Sequence, residues 1–377
     1  MKFTLLQKSK HSKARLGLME TDHGTIETPI FMPVGTQASV KTQSPADLEK
    51  LNARIILGNT YHLYLRPGAD LIAEFGGLHR FMNWSRPILT DSGGYQVFSL
   101  RELRKIDRQG VTFKSHLDGS RHLFTPLSVL ETQQKIGSDI MMVLDECPPH
   151  DAEEPYVATS NEVTVKWALQ AREAYARSKP LHGYEQWLFA IVQGGTFPAI
   201  REKSARALVD MDFPGYAIGG LAVGETKDKM FGMTDLCTDI LPSEKPRYLM
   251  GVGMPQDLLE GIARGVDMFD CVMPTRNARN GTVFTTEGRL VIKAARYAKD
   301  PRPMDEHCTC HACTHFSRAY IRHLLNVGEV LGIWLTTHHN LHYYLTLMEN
   351  ARQHIAAGTF EAWKTETIKK FNNQYTL

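Results

Sequence analysis

The chain has 377 residues, with 43 Lys plus Arg against 41 Asp plus Glu and a formal net charge of +2. Hydrophobic residues at 42% and charged residues at 22% exclude a disordered chain, a collagen-like repeat and a supercharged nucleic-acid coat protein. The length fits one large or two ordinary domains and suffices to bury a sizeable core.

In the N-terminal MKFTLLQKSKHSKARLGLME, Lys and Arg interrupt every apolar stretch. No signal peptide or membrane span is expected, and the cytoplasm is the expected location. Residues 3–28 alternate polar and apolar positions, which predicts an antiparallel ribbon. Eight short apolar runs follow, at Phe31–Gly35, Arg54–Asn59, Ile88–Ser92, Ile140–Cys147, Leu188–Gly194, Tyr216–Leu221, Tyr248–Gly253 and Val266–Cys271. Between them the pattern becomes helical, at Ala46–Leu51, Leu127–Ile136, Asn161–Arg177, Ala199–Met211, Lys227–Ile240 and Pro255–Arg264. Ser44, Pro45 and Asp47 read as an N-cap, a first-turn proline and a capping-box acid.

Continuous apolar runs alternating with helices are what parallel strands buried on both faces require. Eight of them predict an α/β chain with a (β/α)₈ TIM barrel, whose active site lies just beyond the strand C-termini; an open doubly wound sheet is the rival. An insertion around 100–125 carries Val111–Phe124 with Asp118-Gly119 at its centre, a hairpin signal. Thr282–Ile292 predicts another short sheet, and the amphipathic runs Ala319–Leu331 and Leu341–Ala357 predict helices. The expected division is a ribbon over 1–30, a catalytic barrel over 31–280, and a zinc-binding subdomain with closing helices over 281–377.

From Cys271 onward there are 13 Lys plus Arg and 8 Asp plus Glu, a local +5 that suits a polyanionic partner. The same region holds Cys308, Cys310 and Cys313 within six residues, and 25 residues separate Cys313 from His339. Three soft thiolates and one imidazole suit a closed, tetrahedral, structural Zn²⁺ site, one ion per chain. His338, His311 and His315 compete with His339 for the fourth position.

Polar groups recur at the predicted strand ends. Asp91 closes the third run, Asp145 the fourth, Gln193 the fifth and Asp270 the eighth, so four polar groups converge on one barrel mouth. Two acids across a site serve glycosidic chemistry, one as nucleophile and one as proton donor and acceptor. Asp, Gln and exposed Gly amides suit the hydrogen-bonding edge of a purine. A lone Asp at such a junction can equally be a helix N-cap, and it is the repetition that favours a site. The segment after the eighth run carries Arg276 and Arg279 with no acid nearby, and it reads as a phosphate-contacting loop or a solvated turn.

The motifs TPIFMPVGT, LGNTYHL, DSGGYQVFSL, DEC, IVQGG, IGGLAVGE, MGVG and MFDCVMPTRNARNG, with C-x-C-x2-C and a later H-H-N, resemble the bacterial tRNA-guanine transglycosylases, or queuine tRNA-ribosyltransferases. The resemblance runs in order from about Arg15 to the end of the chain. It implies base exchange in tRNA, the wobble guanine of G-U-N anticodons (Asp, Asn, His and Tyr tRNAs) being replaced by 7-aminomethyl-7-deazaguanine, a step of queuosine biosynthesis. It further implies Asp270 as nucleophile carrying a ribosyl intermediate and Asp91 as general acid/base. The base would be bound by Asp91, Ser92, Gly93, Gly94, Asp145, Gln193, Gly219 and Gly220, sandwiched by Tyr95 and Met250. Its aminomethyl group would meet Leu221 and Glu225. Contact with tRNA falls to Gly251, Val252, Gly253, Met254, Pro255, Gln256 and Asp257, and to Thr275, Arg276, Asn277, Ala278 and Arg279. A homodimer packed through the zinc subdomain is also implied. A catalytically idle RNA-binding subunit would be expected to lack Asp91 or Asp270, and a hydrolytic barrel glycosidase has no use for the arginines and the zinc subdomain.

Overall fold

A computed structural model describes residues 2–99 and 104–372. The chain opens with an antiparallel ribbon of β1 (Lys2–Lys8), β2 (Arg15–Thr21) and β3 (Gly24–Thr28). Its alternating pattern leaves one face to cover the barrel floor, where Arg15 donates to both oxygens of the buried Asp267, at 2.9 and 2.5 Å.

Barrel strands and helices then alternate. β4 (Ile30–Met32) leads to α1 (Pro45–Lys50), whose Ser44 and Asp47 form the expected reciprocal cap. β5 (Ile56–Gly58) is followed by three short helices that sequence periodicity did not predict: α2 (Thr60–Leu65), α3 (Ala69–Glu74) and α4 (Leu78–Met82). At five or six residues each they are too short to display a helical period. β6 (Ile88–Thr90) leads through α5 (Gly94–Ser99) to a small antiparallel sheet of β7 (Arg104–Ile106), β8 (Val111–Lys114) and β9 (Arg121–Phe124). The last two are the expected hairpin, turning at Asp118-Gly119. Residues 100–103, where the insertion expected around 100–125 begins and the DSGGYQVFSL motif ends, lie outside the described residues.

The remaining units are α6 (Pro126–Ile136) with β10 (Ile140–Met142), α7 (Glu154–Arg177) with β11 (Trp187–Val192), α8 (Pro198–Asp210) with β12 (Gly215–Ile218), α9 (Lys227–Ile240) with β13 (Arg247–Leu249), and α10 (Pro255–Ala263) with β14 (Met268–Asp270). The eight barrel strands run parallel in the order β4-β14-β13-β12-β11-β10-β6-β5. The Gly35 N–H donates to the Leu57 carbonyl at 2.7 Å and the Leu57 N–H to the Pro33 carbonyl at 3.0 Å, which closes the ring between β4 and β5. Strands this short hold together because they are buried along nearly their whole length, as in the six residues of β11.

Beyond the barrel, α11 (Met273–Arg279) occupies the arginine segment expected to be a loop or turn. Pro274 in its first turn supplies a helical φ and lacks only a donor that a first turn cannot use. β15 (Thr282–Thr285) and β16 (Gly288–Val291) form the expected short sheet, followed by α12 (His311–His315), α13 (Arg318–Val327), α14 (Val330–Ala357) and α15 (Phe360–Asn372). The two expected amphipathic runs are divided differently. Gly328, with φ +79°, ends α13, and α14 is a single 28-residue helix spanning the H-H-N triplet. Among the described residues no helix is long and apolar enough to cross a membrane.

Candidate active site and metal centre

The C-terminal ends of the strands open on a cleft of about 630 Å³ lined by Asp91, Asp145, Gln193, Gly220, Met250 and Asp270. Asp91 follows β6 and is the most heavily held. Its Oδ2 accepts from Asn59 Nδ2 (2.6 Å) and Gln96 Nε2 (2.8 Å), and its Oδ1 from the N–H groups of Thr60 (2.8 Å) and Gly93 (3.2 Å). Burial nevertheless pushes its carboxyl above the ordinary range against those bonds, and the charge of Asp270 adds to the rise.

Asp145, just beyond β10, accepts from Ser92 Oγ (2.8 Å) on Oδ1 and from Gln193 Nε2 (2.7 Å) on Oδ2. Burial lifts it to about 6 despite these two bonds, with Asp91 contributing. Gln193 Oε1 is buried and has no hydrogen-bond partner among the described residues. Such a group is costly unless something supplies a donor. A Cβ on Gly94 would sit 2.8 Å from the Asp145 carbonyl, and one on Gly220 (φ +65°) 2.3 Å from Gln193 Oε1, so only glycine permits this approach at either position.

Asp270 ends β14. Its Oδ1 accepts from Tyr248 Oη at 2.6 Å and from the Gly251 N–H at 2.8 Å, and burial raises its carboxyl in spite of both. In the loop after β12, Glu225 accepts from the N–H groups of Ala222 (2.5 Å) and Val223 (3.0 Å). Because the peptide is planar and trans, the Leu221 carbonyl points away from Glu225. Tyr95 is exposed at the start of α5.

Several partners escaped sequence reasoning. Asn59 and Gln96 stood inside recognised motifs without a role, and Tyr248 read as an ordinary strand residue. Arg201 on α8 is fully buried and donates to the carbonyls of Val192, Gly195 and Gly219, tying the ends of β11 and β12 beneath Gln193 and Gly220. No local pattern marks it.

Of the two segments implied in RNA contact, Gly251 and Arg276 are exposed and Met254, Gln256, Asn277 and Arg279 partly so, whereas Val252, Gly253, Pro255, Asp257, Thr275 and Ala278 are buried. Asp257 is paired with Lys227. Arg276 and Arg279 lie one turn apart on α11, and burial with the nearby Arg276 lowers the Arg279 guanidinium. Arg279 Nη1 is buried without a partner among the described residues.

The three cysteines converge on one histidine. His339 Nδ1 lies 3.6, 3.6 and 3.3 Å from the sulfurs of Cys308, Cys310 and Cys313. Tetrahedral zinc, with bonds of roughly 2.3 Å to sulfur and 2.0–2.1 Å to nitrogen, would separate such atoms by roughly 3.5 Å. The residues therefore fit a metal ion. His339 Nε2 donates to the Phe284 carbonyl (2.8 Å), which leaves Nδ1 free to ligate. Of the competitors, His338 bonds Gln43 and stacks on Trp334, and His315 bonds the His311 carbonyl. His342, not among those expected, approaches only Cys308. The neighbouring Asn340 donates to the carbonyls of Pro274 and Thr282 and accepts from the Phe284 N–H, and Tyr344 Oη donates to the Gly253 carbonyl. The helix that supplies the metal ligand thus also holds α11 and the Gly251–Met254 turn.

A second trio, His23, His79 and Asp139, brings its ligand atoms within 4.8 Å of one another under the barrel floor. The two imidazoles are stacked at 3.6 Å and 13°, so their in-plane lone pairs run side by side and do not converge on one ion. His23 Nδ1 and His79 Nε2 instead bond separate oxygens of Asp139. Burial raises that carboxyl, but the two histidines outweigh it and hold it below its ordinary range.

A TIM barrel whose mouth joins two buried carboxylates and a half-buried one to an amide and glycine amides is a barrel enzyme equipped for glycosyl transfer. A family model described as Queuine tRNA-ribosyltransferase matches residues 9–373. Over 371 residues the chain is 56% identical to the queuine tRNA-ribosyltransferase of Caldanaerobacter subterraneus subsp. tengcongensis, covering 98% of each chain. It is 56% identical to that of Thermoanaerobacter pseudethanolicus, again over 98% of each, and 53% identical to that of Halothermothrix orenii over 100% of this chain and 99% of the relative. The chain belongs to the queuine tRNA-ribosyltransferase family and is a pentosyltransferase.

Proposed function

We propose that this enzyme replaces the wobble guanine of tRNAs with G-U-N anticodons by 7-aminomethyl-7-deazaguanine, through a ribosyl ester on Asp270. The observation that carries this reading is one cleft holding three carboxylates in three different surroundings. Asp270 offers a bare oxygen to the ribose C1′. Asp91, gripped by four donors and sensing Asp270, serves as acid for departing guanine and as base for the incoming ring N–H. Asp145 and the unpartnered oxygen of Gln193 are acceptors suited to the purine N–H groups, and the Gly220 amide is a donor for the purine oxygen. With Glu225 engaged by Ala222 and Val223, the Leu221 carbonyl is directed to meet an ammonium on the base. Storing the ribosyl group as an ester lets one glycosidic bond replace another without an external energy source.

Arg276 and the partly buried, unpaired Arg279 receive tRNA phosphates, beside the Gly251–Met254 turn. The Cys₃His group holds one structural Zn²⁺, because soft thiolates and imidazole select it and four protein ligands leave no position for a reacting water. Val327, Val330 and Leu331 are exposed about the turn between α13 and α14, and Tyr320 near the start of α13, apolar surface that supports a homodimer joined through this subdomain. A cytoplasmic location follows from tRNA as substrate.

The deciding experiment uses unmodified tyrosine tRNA with labelled guanine at the wobble position. Label is expected to leave only when enzyme is present, and to reach completion only when the deazaguanine base is added. Release as fast into water alone, with an abasic tRNA product, would make the enzyme a glycosidase.

Removal of the metal tests its role separately. Chelation or Cys310→Ser is expected to melt the 308–313 segment, loosen α14, and lower tRNA affinity by an order of magnitude or more through the misplaced α11. A metal-free protein with unchanged near-UV dichroism and tRNA affinity would overturn the assignment.

A further inference from the structure

Three carboxylates face the cleft, and their hydrogen bonds are distributed differently. Asp91 receives donors on both oxygens, and Asp145 receives one on each. Asp270 alone takes both of its donors, Tyr248 Oη and the Gly251 N–H, on the same oxygen. Among the described residues no donor reaches its Oδ2. The Tyr248 side chain is fully buried on β13, with its hydroxyl at the cleft wall.

We propose that Tyr248 is a positioning residue which, with the Gly251 amide, pins Oδ1 of Asp270 and thereby sets how readily the ribosyl–Asp270 ester is broken in the second half of the exchange. This rests on the function proposed above.

In the first half, an Oδ2 lone pair forms the bond to C1′ as the C1′–N9 bond breaks. Its electron pair passes to guanine N9, which takes a proton from Asp91. In the second half, Asp91 removes the ring proton of the incoming base, N9 attacks C1′, and the C1′–Oδ2 pair returns to the carboxylate. Across these steps Oδ1 changes from half of a charged carboxylate to the carbonyl oxygen of a neutral ester and back. Hydrogen bonds to a charged acceptor are roughly twice as strong as neutral ones. The two donors therefore favour the carboxylate over the ester. They orient Oδ2 for attack, limit how far the adduct accumulates, and stabilise Asp270 as a leaving group. Other titratable or charged groups bearing on Asp270 are Asp91 from β6, Cys271 beside it and Arg276 from α11.

The test uses the full-length enzyme with Tyr248→Phe, which removes the donor and keeps the ring. With saturating tRNA, the ratio of trapped adduct to free enzyme is expected to rise about tenfold. Transfer from preformed adduct to the base is expected to slow by a similar factor, more than the initial release of labelled guanine. The acid limb of kcat/KM for tRNA should move to higher pH relative to the unsubstituted enzyme, because Asp270 has lost a donor to its charged form. Asp145 lies on the same limb, so the difference between the two enzymes is the quantity read. A fluorotyrosine placed at position 248, a stronger donor, should shift the adduct ratio and the acid limb in the opposite directions, and it decides the matter should Tyr248→Phe fold poorly. An adduct ratio unchanged in both variants, or equal slowing of both half-reactions with an unmoved limb, would reduce Tyr248 to a packing residue. If the unsubstituted enzyme traps no adduct at all, the ester mechanism itself fails, a distinguishable result.

Discussion

Asp270→Ala is expected to abolish exchange, with a loss on the order of 10⁴-fold or more, because no other group can take the ribosyl carbon. The covalent tRNA adduct should vanish from denaturing gels. Binding of tRNA should stay within a few-fold, since it draws chiefly on phosphate contacts and their released counterions. The thermal midpoint should not fall, because desolvation holds the half-buried Asp270 carboxyl above its ordinary range, so its charge opposes folding at neutral pH. Adduct formation by the alanine variant would remove Asp270 from the nucleophile role and transfer attention to Asp91.

The second large effect falls on base recognition. In Asp145→Asn one acceptor oxygen becomes a donor facing the donors of the purine. An unsatisfied buried polar group costs about 1–3 kcal/mol, so free-base affinity should drop by roughly one to two orders of magnitude. The same carboxylate dictates a pH dependence. With Asp145 titrating at about 6 in the free enzyme, base affinity should be full above that value and decline about tenfold per unit below it, as the carboxyl acquires a proton it must not have. The stability effect has the opposite sign. A carboxyl raised from 3.8 to about 6 makes the ionised folded state less favourable by roughly 3 kcal/mol at neutral pH, a penalty absent below pH ~4 and complete above pH ~6. Asp145→Asn should therefore bind base poorly while melting no earlier than the parent.

Arg276→Ala supplies the contrast. It should weaken tRNA binding, reduce the salt slope by about one phosphate contact, and leave free-base affinity nearly unchanged. Steady-state kinetics with each substrate varied in turn, and a salt titration of tRNA binding, measure both variants. A change in the tRNA constant alone for Asp145→Asn would contradict the division of the barrel mouth into a base pocket and an RNA-facing helix.

What the sequence determined by itself are the features written in contiguous residues. Parallel strands covered on both faces must be apolar throughout, so runs such as Leu188–Gly194 announced the barrel. A polar residue at the end of each such run has one destination, the barrel mouth, which made Asp91, Asp145, Gln193 and Asp270 readable as neighbours across nearly 180 residues of chain. Three thiols within six residues likewise announced a candidate metal site before any fold was known.

Only the tertiary structure decided the rest, because hydrogen-bond partners are chosen by proximity in space and leave no periodicity behind. The phase of α14 selects His339 over His338, since adjacent residues on a helix point about 100° apart, while His342, one turn further along the same face, reaches only Cys308. The conversion of the arginine loop into α11 depends on Asn340 and Thr336, more than fifty residues away, which bond its backbone carbonyls. The unequal grip on the three carboxylates arises from Asn59, Ser92 and Tyr248, each carried in from a different strand end. Composition and spacing can place an acid at the mouth of a barrel. Which of its oxygens is held, and which is left to react, is settled only when the strands close.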